Sequence, residues 1–480
     1  MLSNPNGAMK NKIKRVMFVS PYPEKAKVIM EASHYPPIGL AYTASFIEKH
    51  GFRCKILDAN LFKLNTEKVF DKIKKYNPDV VGLSFNVVTV NEVIKISNRV
   101  KEELGKKVIL GGPSSSGDPR FILEKSKADC IVRNEGESVT LNLIQKNFDL
   151  ENVLGISYLE NGKLVANPAQ ALIEDVDSIP FPAWHLLPDL SLYKNRSRKF
   201  PIAPMVTSRG CPYSCTFCGS ANTGWRYRSA DNIVAEIELL SREYGVRQID
   251  ILDDNFTLSF NRAHEILDKI IEKKLDVLIT FPNGLRADRL NEELIKKMKK
   301  AGVYRTGIGI ETGDEEVMKN IKKSLDLDKV RTSIKLLRKY GITVFGYFQF
   351  GLPGDTKESM QKTVEFAKEV NPHWANFGIT TPLPGTQLYN DLVELGKIGE
   401  GGDDSISSGY YAIKDAHFDT NASKEDIEYY QRKAWREFYF RPIKVIDTIS
   451  TIRSWREFEW TVRLAWPIFK GLFVKQKNSI

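Results

Sequence analysis

Cys211-Pro-Tyr-Ser-Cys215-Thr-Phe-Cys218 gathers three of the chain's five cysteines into one C-x3-C-x2-C stretch. Thiolates are soft ligands that suit iron–sulfur clusters and zinc. Closed clusters and structural zinc sites take four protein ligands. Here the other two cysteines, Cys54 and Cys130, lie far upstream in a different kind of segment. A three-thiolate set leaves one coordination position open, where a substrate or cosubstrate can bind. The plainer alternatives are a zinc knuckle, which lacks its fourth ligand nearby, and three unrelated thiols.

The segments around the cysteines read as the frame that positions them. Short apolar runs alternate with helical patterns at Pro204–Ser208, Gln248–Leu252, Val277–Phe281, Arg305–Ile310, Thr343–Phe348 and Trp374–Ile379. That makes six βα units, and in barrels built of such units the side chains at the carboxyl ends of the strands point into the active site. Polar or glycine-rich residues fall there: Asp253-Asp254-Asn255, Asn283, Arg286, Glu311, Gly351-Leu-Pro-Gly354 and Thr381–Gly385. Helix capping is the alternative role for Asp253 and Asp254.

The cysteine spacing, with Phe217 before the third cysteine, resembles the signature of the radical S-adenosylmethionine (SAM) enzymes. Gly307-Ile-Gly-Ile-Glu-Thr-Gly313, Phe350-Gly-Leu-Pro-Gly-Asp355 and Pro382-Leu-Pro-Gly-Thr386 resemble later motifs of that family. The resemblance implies a (βα)6 fold in which Cys211, Cys215 and Cys218 hold a [4Fe-4S] cluster. The fourth iron would chelate SAM, and reductive cleavage would yield a 5′-deoxyadenosyl radical. On this reading Glu311 accepts from the SAM amino group or ribose, and Arg286 pairs with its carboxylate, whose geometry a guanidinium fork matches. Phe217 lines the adenine. Gly351 and Gly354 leave room for backbone beside SAM. An electron donor such as ferredoxin or flavodoxin is implied as a partner.

Residues 13–150 read as a doubly wound parallel sheet, with near-continuous apolar strands at Arg15–Ser20, Lys55–Asp58, Asp79–Ser84, Lys107–Leu110 and Asp129–Val132. A ligand is expected at the carboxyl ends of these strands, in loops carrying Ser84, Gly111-Gly112-Pro113 and Glu135-Gly136. No G-x-G-x-x-G occurs, which disfavours a dinucleotide. Together with Tyr35–Ala41, these phrases resemble the cobalamin-binding domain that precedes many radical SAM domains. The D-x-H-x-x-G motif of the mutases is absent; Asp415-Ala-His417 matches its start, but Thr420 replaces the glycine. Serines follow Pro113 where relatives often carry histidine.

A connector, about 151–202, holds a hairpin turning at Asn161-Gly162 and a proline-rich stretch, where His185 reads as a packing residue. Trp225-Arg-Tyr-Arg228 reads as a loop packed on the barrel, with a substrate contact as the alternative. The radical SAM core spans about 203–400 and a helical tail 401–480. The tail begins with a flexible Gly399–Asp404, and Ser423 and Asp426 form a helix-starting capping box. Beyond Pro442, Trp455, Phe458, Trp460, Trp466, Phe469 and Phe473 interleave with Arg453, Arg456, Arg463 and Lys470. This pattern suits packing on the barrel, a lid over a greasy substrate, or a membrane interface.

Hydrophobic residues make up 42% and charged residues 27% of 480, as expected of a globular α/β protein with sizeable cores. The net charge of +10 comes without a nucleic-acid reader motif, so none is expected as partner. Cysteine usage fits a reducing compartment. No signal-peptide core or ~18-residue apolar run appears. The expected location is cytoplasmic, with peripheral membrane contact through the tail. The expected activity is hydrogen abstraction from an unactivated carbon, with cobalamin-dependent C-methylation of a small hydrophobic or lipid-like substrate. Methylcobalamin would be the donor and a second SAM would restore it. Radical cyclisation or carbon–carbon coupling is the alternative. An electron-transfer protein is the rival from another class. A methylthiotransferase is disfavoured, because Cys54 and Cys130 cannot supply its second cysteine set.

Overall fold

The computed structural model describes residues 13–24, 34–113, 115, 117, 119–195, 197–397, 422–455, 457–459 and 461–462. The expectations for Gly399–Asp404, Asp415–Thr420, Ser114, Ser116, Arg456, Trp460 and residues 463–480 fall outside them. The chain forms two compact units.

The first unit is a seven-stranded sheet in the order β2-β1-β3-β4-β5-β6-β7. β1 (Arg15–Ser20), β2 (Arg53–Asp58), β3 (Val80–Ser84), β4 (Lys107–Gly111) and β5 (Cys130–Val132) are parallel. Helices α1 (Ile38–Glu48), α2 (Thr66–Tyr76), α3 (Val90–Leu104), α4 (Pro119–Ser126) and α5 (Gly136–Gln145) connect them. Strands buried on both faces need this apolar composition, and two core clusters lie on opposite sides of the sheet. Cys54 and Cys130 belong to one of those clusters. Burial pushes the Cys54 thiol up to about 12 and raises that of Cys130 as well, so both are inert core residues. The hairpin expected in a connector instead extends this sheet. Its strands β6 (Ile156–Glu160) and β7 (Lys163–Ala166) add antiparallel to β5 and cover its edge. Downstream, His185 is paired with Glu48 at 3.0 Å.

The second unit contains a six-stranded parallel sheet in sequential order. Its strands are β8 (Ile202–Met205), β11 (Gln248–Ile251), β12 (Leu278–Leu285), β13 (Val303–Glu311), β14 (Thr343–Phe350) and β15 (Trp374–Ile379). A short ribbon of β9 (Ser208–Arg209) and β10 (Arg226–Tyr227) brackets the cysteine loop. The connecting helices are α6 (Ala230–Glu243), α7 (Phe260–Glu272), α8 (Glu292–Lys300), α9 (Glu315–Asn320), α10 (Leu327–Lys339) and α11 (Lys357–Val370). α12 (Gln387–Glu394), α13 (Lys424–Tyr439) and α14 (Pro442–Thr451) follow β15. The Ser423–Asp426 capping box opens α13 as the sequence implies. No helix among the described residues is long and apolar enough to cross a membrane.

Candidate functional site

The cysteine loop is shaped by its own backbone. Gly210, just before Cys211, has φ +82, and a Cβ there would meet the Gly224 carbonyl oxygen at 2.3 Å. The Cys211 N–H donates to Thr223 Oγ1 at 2.8 Å and the Thr223 N–H to the Cys211 carbonyl at 3.0 Å. Gly210→Ala should therefore unseat the loop. We expect a stability loss of about 2 kcal/mol and lowered iron content, read by thermal unfolding and iron analysis.

Two later helices hold the middle of the loop, α9 at its end and α12 at its start. The Thr216 N–H donates to the Ile321 carbonyl at 3.1 Å, and the Thr216 carbonyl accepts from the Leu388 N–H at 2.9 Å. Phe217 packs on the apolar face of α12 formed by Leu388, Tyr389 and Leu392. Asp253, at the end of β11, does not cap a helix; Ser259 caps α7. Its carboxylate accepts from the Thr207 N–H at 2.6 Å and from the Ser208 hydroxyl at 2.6 Å, bracing the entry to the loop. Trp225 and Tyr227 lie beside the Arg262 guanidinium, so this stretch packs as expected.

Glu311 ends β13 at a bulge, in the left-handed region at φ 69. Such a conformation is uncommon for a residue with a Cβ and costs on the order of 1–3 kcal/mol. It turns the carboxylate into a buried network. Oε1 accepts from Lys323 Nζ at 2.5 Å and Oε2 from Gln349 Nε2 at 3.0 Å, while Gln349 Oε1 accepts from Thr380 Oγ1 at 3.1 Å. The ends of β13, β14 and β15 are thereby joined. Lys323 was not singled out in the sequence, yet its ammonium lies 6.0 Å from the Phe217 ring centre. Burial raises the Cys215 thiol, while the nearby Lys323 and Arg286 cations pull it down. Burial raises Cys218 too, opposed by a backbone hydrogen bond from Ser220.

Three of the expected site residues have close neighbours of their own. The Arg286 fork is occupied: Nε and Nη2 each donate to Asp288 at 3.0 Å, and Nη1 donates to the Lys323 carbonyl at 3.2 Å. The guanidinium also stacks on Tyr213 of the cysteine loop at 3.7 Å. Arg286 is thus engaged in holding the loop. The space beside Gly351 is filled by Ile427 of α13, 3.1 Å from an added Cβ. That beside Gly354 is filled by Asn320, at 2.3 Å. Both glycines have positive φ and let neighbouring side chains close in. Asp355 locks their loop by accepting from the Gly351 and Leu352 N–H groups at 2.9 Å each. Burial pushes its carboxyl up to about 6.

In the first unit the strand order reverses between β1 and β3, and a ligand crevice opens at such a point. Ser84 and Gly111 end β3 and β4, Gly112-Pro113 follow β4 and Glu135-Gly136 follow β5, all at the same end of the sheet. Gly112 has φ +120, and a Cβ there would meet the Phe85 carbonyl oxygen at 2.5 Å. The Glu24 N–H, just after the β1 loop, donates to Oε1 of buried Glu92 at 3.1 Å. Among the described residues Oε2 of Glu92 has no hydrogen-bond partner, and burial raises this carboxyl.

Comparison with known proteins assigns both units. Residues 205–367 match the model of the Radical SAM superfamily, and residues 28–144 that of the B12 binding domain. An uncharacterized methyltransferase of Pyrococcus horikoshii is 32% identical over 91% of this chain and 95% of its own length. The chain belongs to the cobalamin-binding radical SAM enzymes. The anaerobic magnesium-protoporphyrin IX monomethyl ester cyclase of Rubrivivax gelatinosus is 29% identical over 79% of this chain and 70% of the cyclase. The structure of the cobalamin-dependent SAM radical enzyme OxsB, with aqua-cobalamin and SAM bound, shares the fold. Its TM-score is 0.73 at 16% identity, over 96% of this chain and 72% of that one.

As a cobalamin-binding radical SAM enzyme the protein takes a [4Fe-4S] cluster, SAM and cobalamin. The residues present fit these groups. Three soft donors with no fourth cysteine in the unit match a cluster with one open iron. The three thiols do not form a closed metal site here, and among the described residues no group of His, Cys, Asp and Glu does. Metal binding and the ordering of its ligands are coupled. The unpartnered Glu92 oxygen suits the amide-rich rim of a corrin.

Proposed function

We propose that the protein transfers a methyl group to an unactivated carbon of a small apolar molecule. When bound, the cluster supplies the electron that cleaves SAM and the corrin supplies a methyl carrier. The observation that carries this reading is the buried Lys323–Glu311 pair beside Cys215, in a chain whose other unit is a B12-binding domain. Cys211, Cys215 and Cys218 hold the cluster. Lys323 takes the SAM carboxylate, the role first given to Arg286, because its ammonium is the cation that neighbours both Phe217 and Cys215. Glu311 accepts from the SAM amino group or ribose, and Gln349 with Thr380 keeps its second oxygen oriented. Phe217 offers an aromatic face to the adenine. Ser84, Gly111, Gly112, Pro113, Glu135 and Gly136 line the corrin crevice. Ile379 and Leu383 stand exposed just beyond Glu311's network, at the end of β15, and favour an apolar substrate.

The test is anaerobic reconstitution with iron, sulfide and hydroxocobalamin, followed by SAM and dithionite. Corrin retained through gel filtration, with both 5′-deoxyadenosine and S-adenosylhomocysteine formed, is the expected result. 5′-Deoxyadenosine alone, with no label passing from methyl-labelled SAM to any product, would move the assignment to cyclisation or coupling. The cyclase relative makes that the second reading. An intact cluster that never cleaves SAM, even with candidate substrates present, would favour electron transfer.

A further inference from the structure

The end of the described chain is built inside out. In α14 and the helical residues that follow it, polar side chains face the protein: Lys444, Asp447, Thr451, Glu457 and Thr461 are each 8% exposed or less. Apolar side chains face away: Ile443, Ile446, Ile449, Trp455, Phe458 and Val462 are between 43% and 77% exposed. Trp455 and Phe458 stack on each other at 5.2 Å. Among the described residues sixteen large apolar side chains are exposed, and seven of them lie between Phe440 and Val462. Scattered single residues of this kind are ordinary, but a contiguous patch marks a contact surface.

Buried ionic contacts fix which side faces out. Lys444 Nζ donates to the Pro372 carbonyl and pairs with Asp447 at 2.9 Å. Asp447 also accepts from Arg338 at 3.0 Å. Glu457 accepts from Arg198 Nε at 2.9 Å and from the Arg453 N–H at 2.8 Å. Rotating the segment to hide its isoleucines would strip these buried charges of their partners. The apolar stripe is therefore a fixed outward face.

The chain that continues from it identifies the occupant. Residues 463–480 carry Arg463, Lys470, Lys475 and Lys477 and no Asp or Glu, set among Leu464, Trp466, Phe469 and Phe473. Cations interleaved with tryptophan and phenylalanine complement anionic headgroups over an acyl boundary. A second copy of the chain would bring like charge against like. We propose that the exposed apolar residues described between Phe440 and Val462 form a docking face that lays this unit on the surface of an anionic bilayer, the positive charge in the sequence of residues 463–480 adding headgroup attraction. The proposal is independent of the reaction assigned above.

The experiment uses the full-length reconstituted protein with vesicles of phosphatidylcholine, alone or mixed with phosphatidylglycerol. The wild type should float with the mixed vesicles, release with rising salt, and bind neutral vesicles weakly. Ile446→Glu with Ile449→Glu should weaken binding by roughly tenfold or more. Both positions are well exposed, so the variant's thermal unfolding and iron content should match the wild type. Flotation unchanged by the double substitution would overturn the docking face. No binding to either vesicle would overturn it too. In that case, a concentration-dependent dimer that the same substitutions dissociate would assign the face to a second copy. A monomer would assign it to the chain's own segment 463–480.

Discussion

A Cys215→Ala protein should purify without the visible absorbance of a cluster and should cleave SAM no faster than background, a loss of roughly 10³-fold or more. Cys218→Ala should behave the same way. The reason is ligand number: a three-thiolate set has no spare donor, and the other two cysteines are sealed in the core of the first unit. Cys130→Ala should accordingly keep full iron content. It should cost only about 1–2 kcal/mol for the lost packing. Iron and sulfide analysis beside a 5′-deoxyadenosine assay decides the matter. Cleavage within tenfold of wild type in Cys215→Ala would remove the cluster assignment. The thiols also report on loading. Burial raises Cys215 and Cys218, so both are protonated near neutral pH and must lose protons to bind iron. Reconstitution should therefore be more complete at mildly alkaline pH.

The second large effect is expected at Lys323. Lys323→Met leaves the Glu311 carboxylate buried without its cation, and breaking a buried pair from one side costs about 3–5 kcal/mol. It should also weaken SAM binding by roughly 10- to 100-fold, the worth of a charge-assisted contact to the SAM carboxylate. The two consequences separate in the double variant Lys323→Met/Glu311→Gln. Removing both charges should recover most of the thermal stability, while SAM affinity stays low. If affinity returned with stability, the pair would be structural only. Arg286→Met serves as the contrast. It loosens the Tyr213 stack but should alter SAM affinity only a few-fold. A Glu311→Ala protein with unchanged SAM affinity and cleavage would rule out the carboxylate's assigned contact.

Both sheets were legible because their strands are short, apolar and punctuated by amphipathic helices, which leaves few alternatives to parallel layers. The cysteine loop was legible because its spacing is demanding. Lys323 was not. It stands in Asn320-Ile-Lys-Lys-Ser324, which reads as a solvated helix end, and only the fold turns that lysine inward twelve residues after Glu311. For Arg286 the sequence shows the residue but not its engagement. A guanidinium at a strand end suits a carboxylate ligand, but Asp288, two residues on, already supplies the carboxylate. Gly351 and Gly354 do have the backbone freedom their motif implies. What fills the space beside them comes from Ile427 and Asn320, whose approach no local pattern encodes. In α14 the periodicity shows two faces but not which one meets the protein, and the buried salt bridges of Lys444 and Asp447 reverse the usual orientation.

The grip on Thr216 carries a consequence for how this enzyme can vary. The peptide between Cys215 and Cys218 is tied to residue 321 on one side and residue 388 on the other. A change of length or stiffness in either distant segment would therefore shift the thiols proposed to bind iron without altering a cysteine. An engineer wishing to retune the reduction potential would leave the C-x3-C-x2-C stretch alone and redesign residues 314–322 instead. Natural drift in that segment would act as a tuning screw on the same electron.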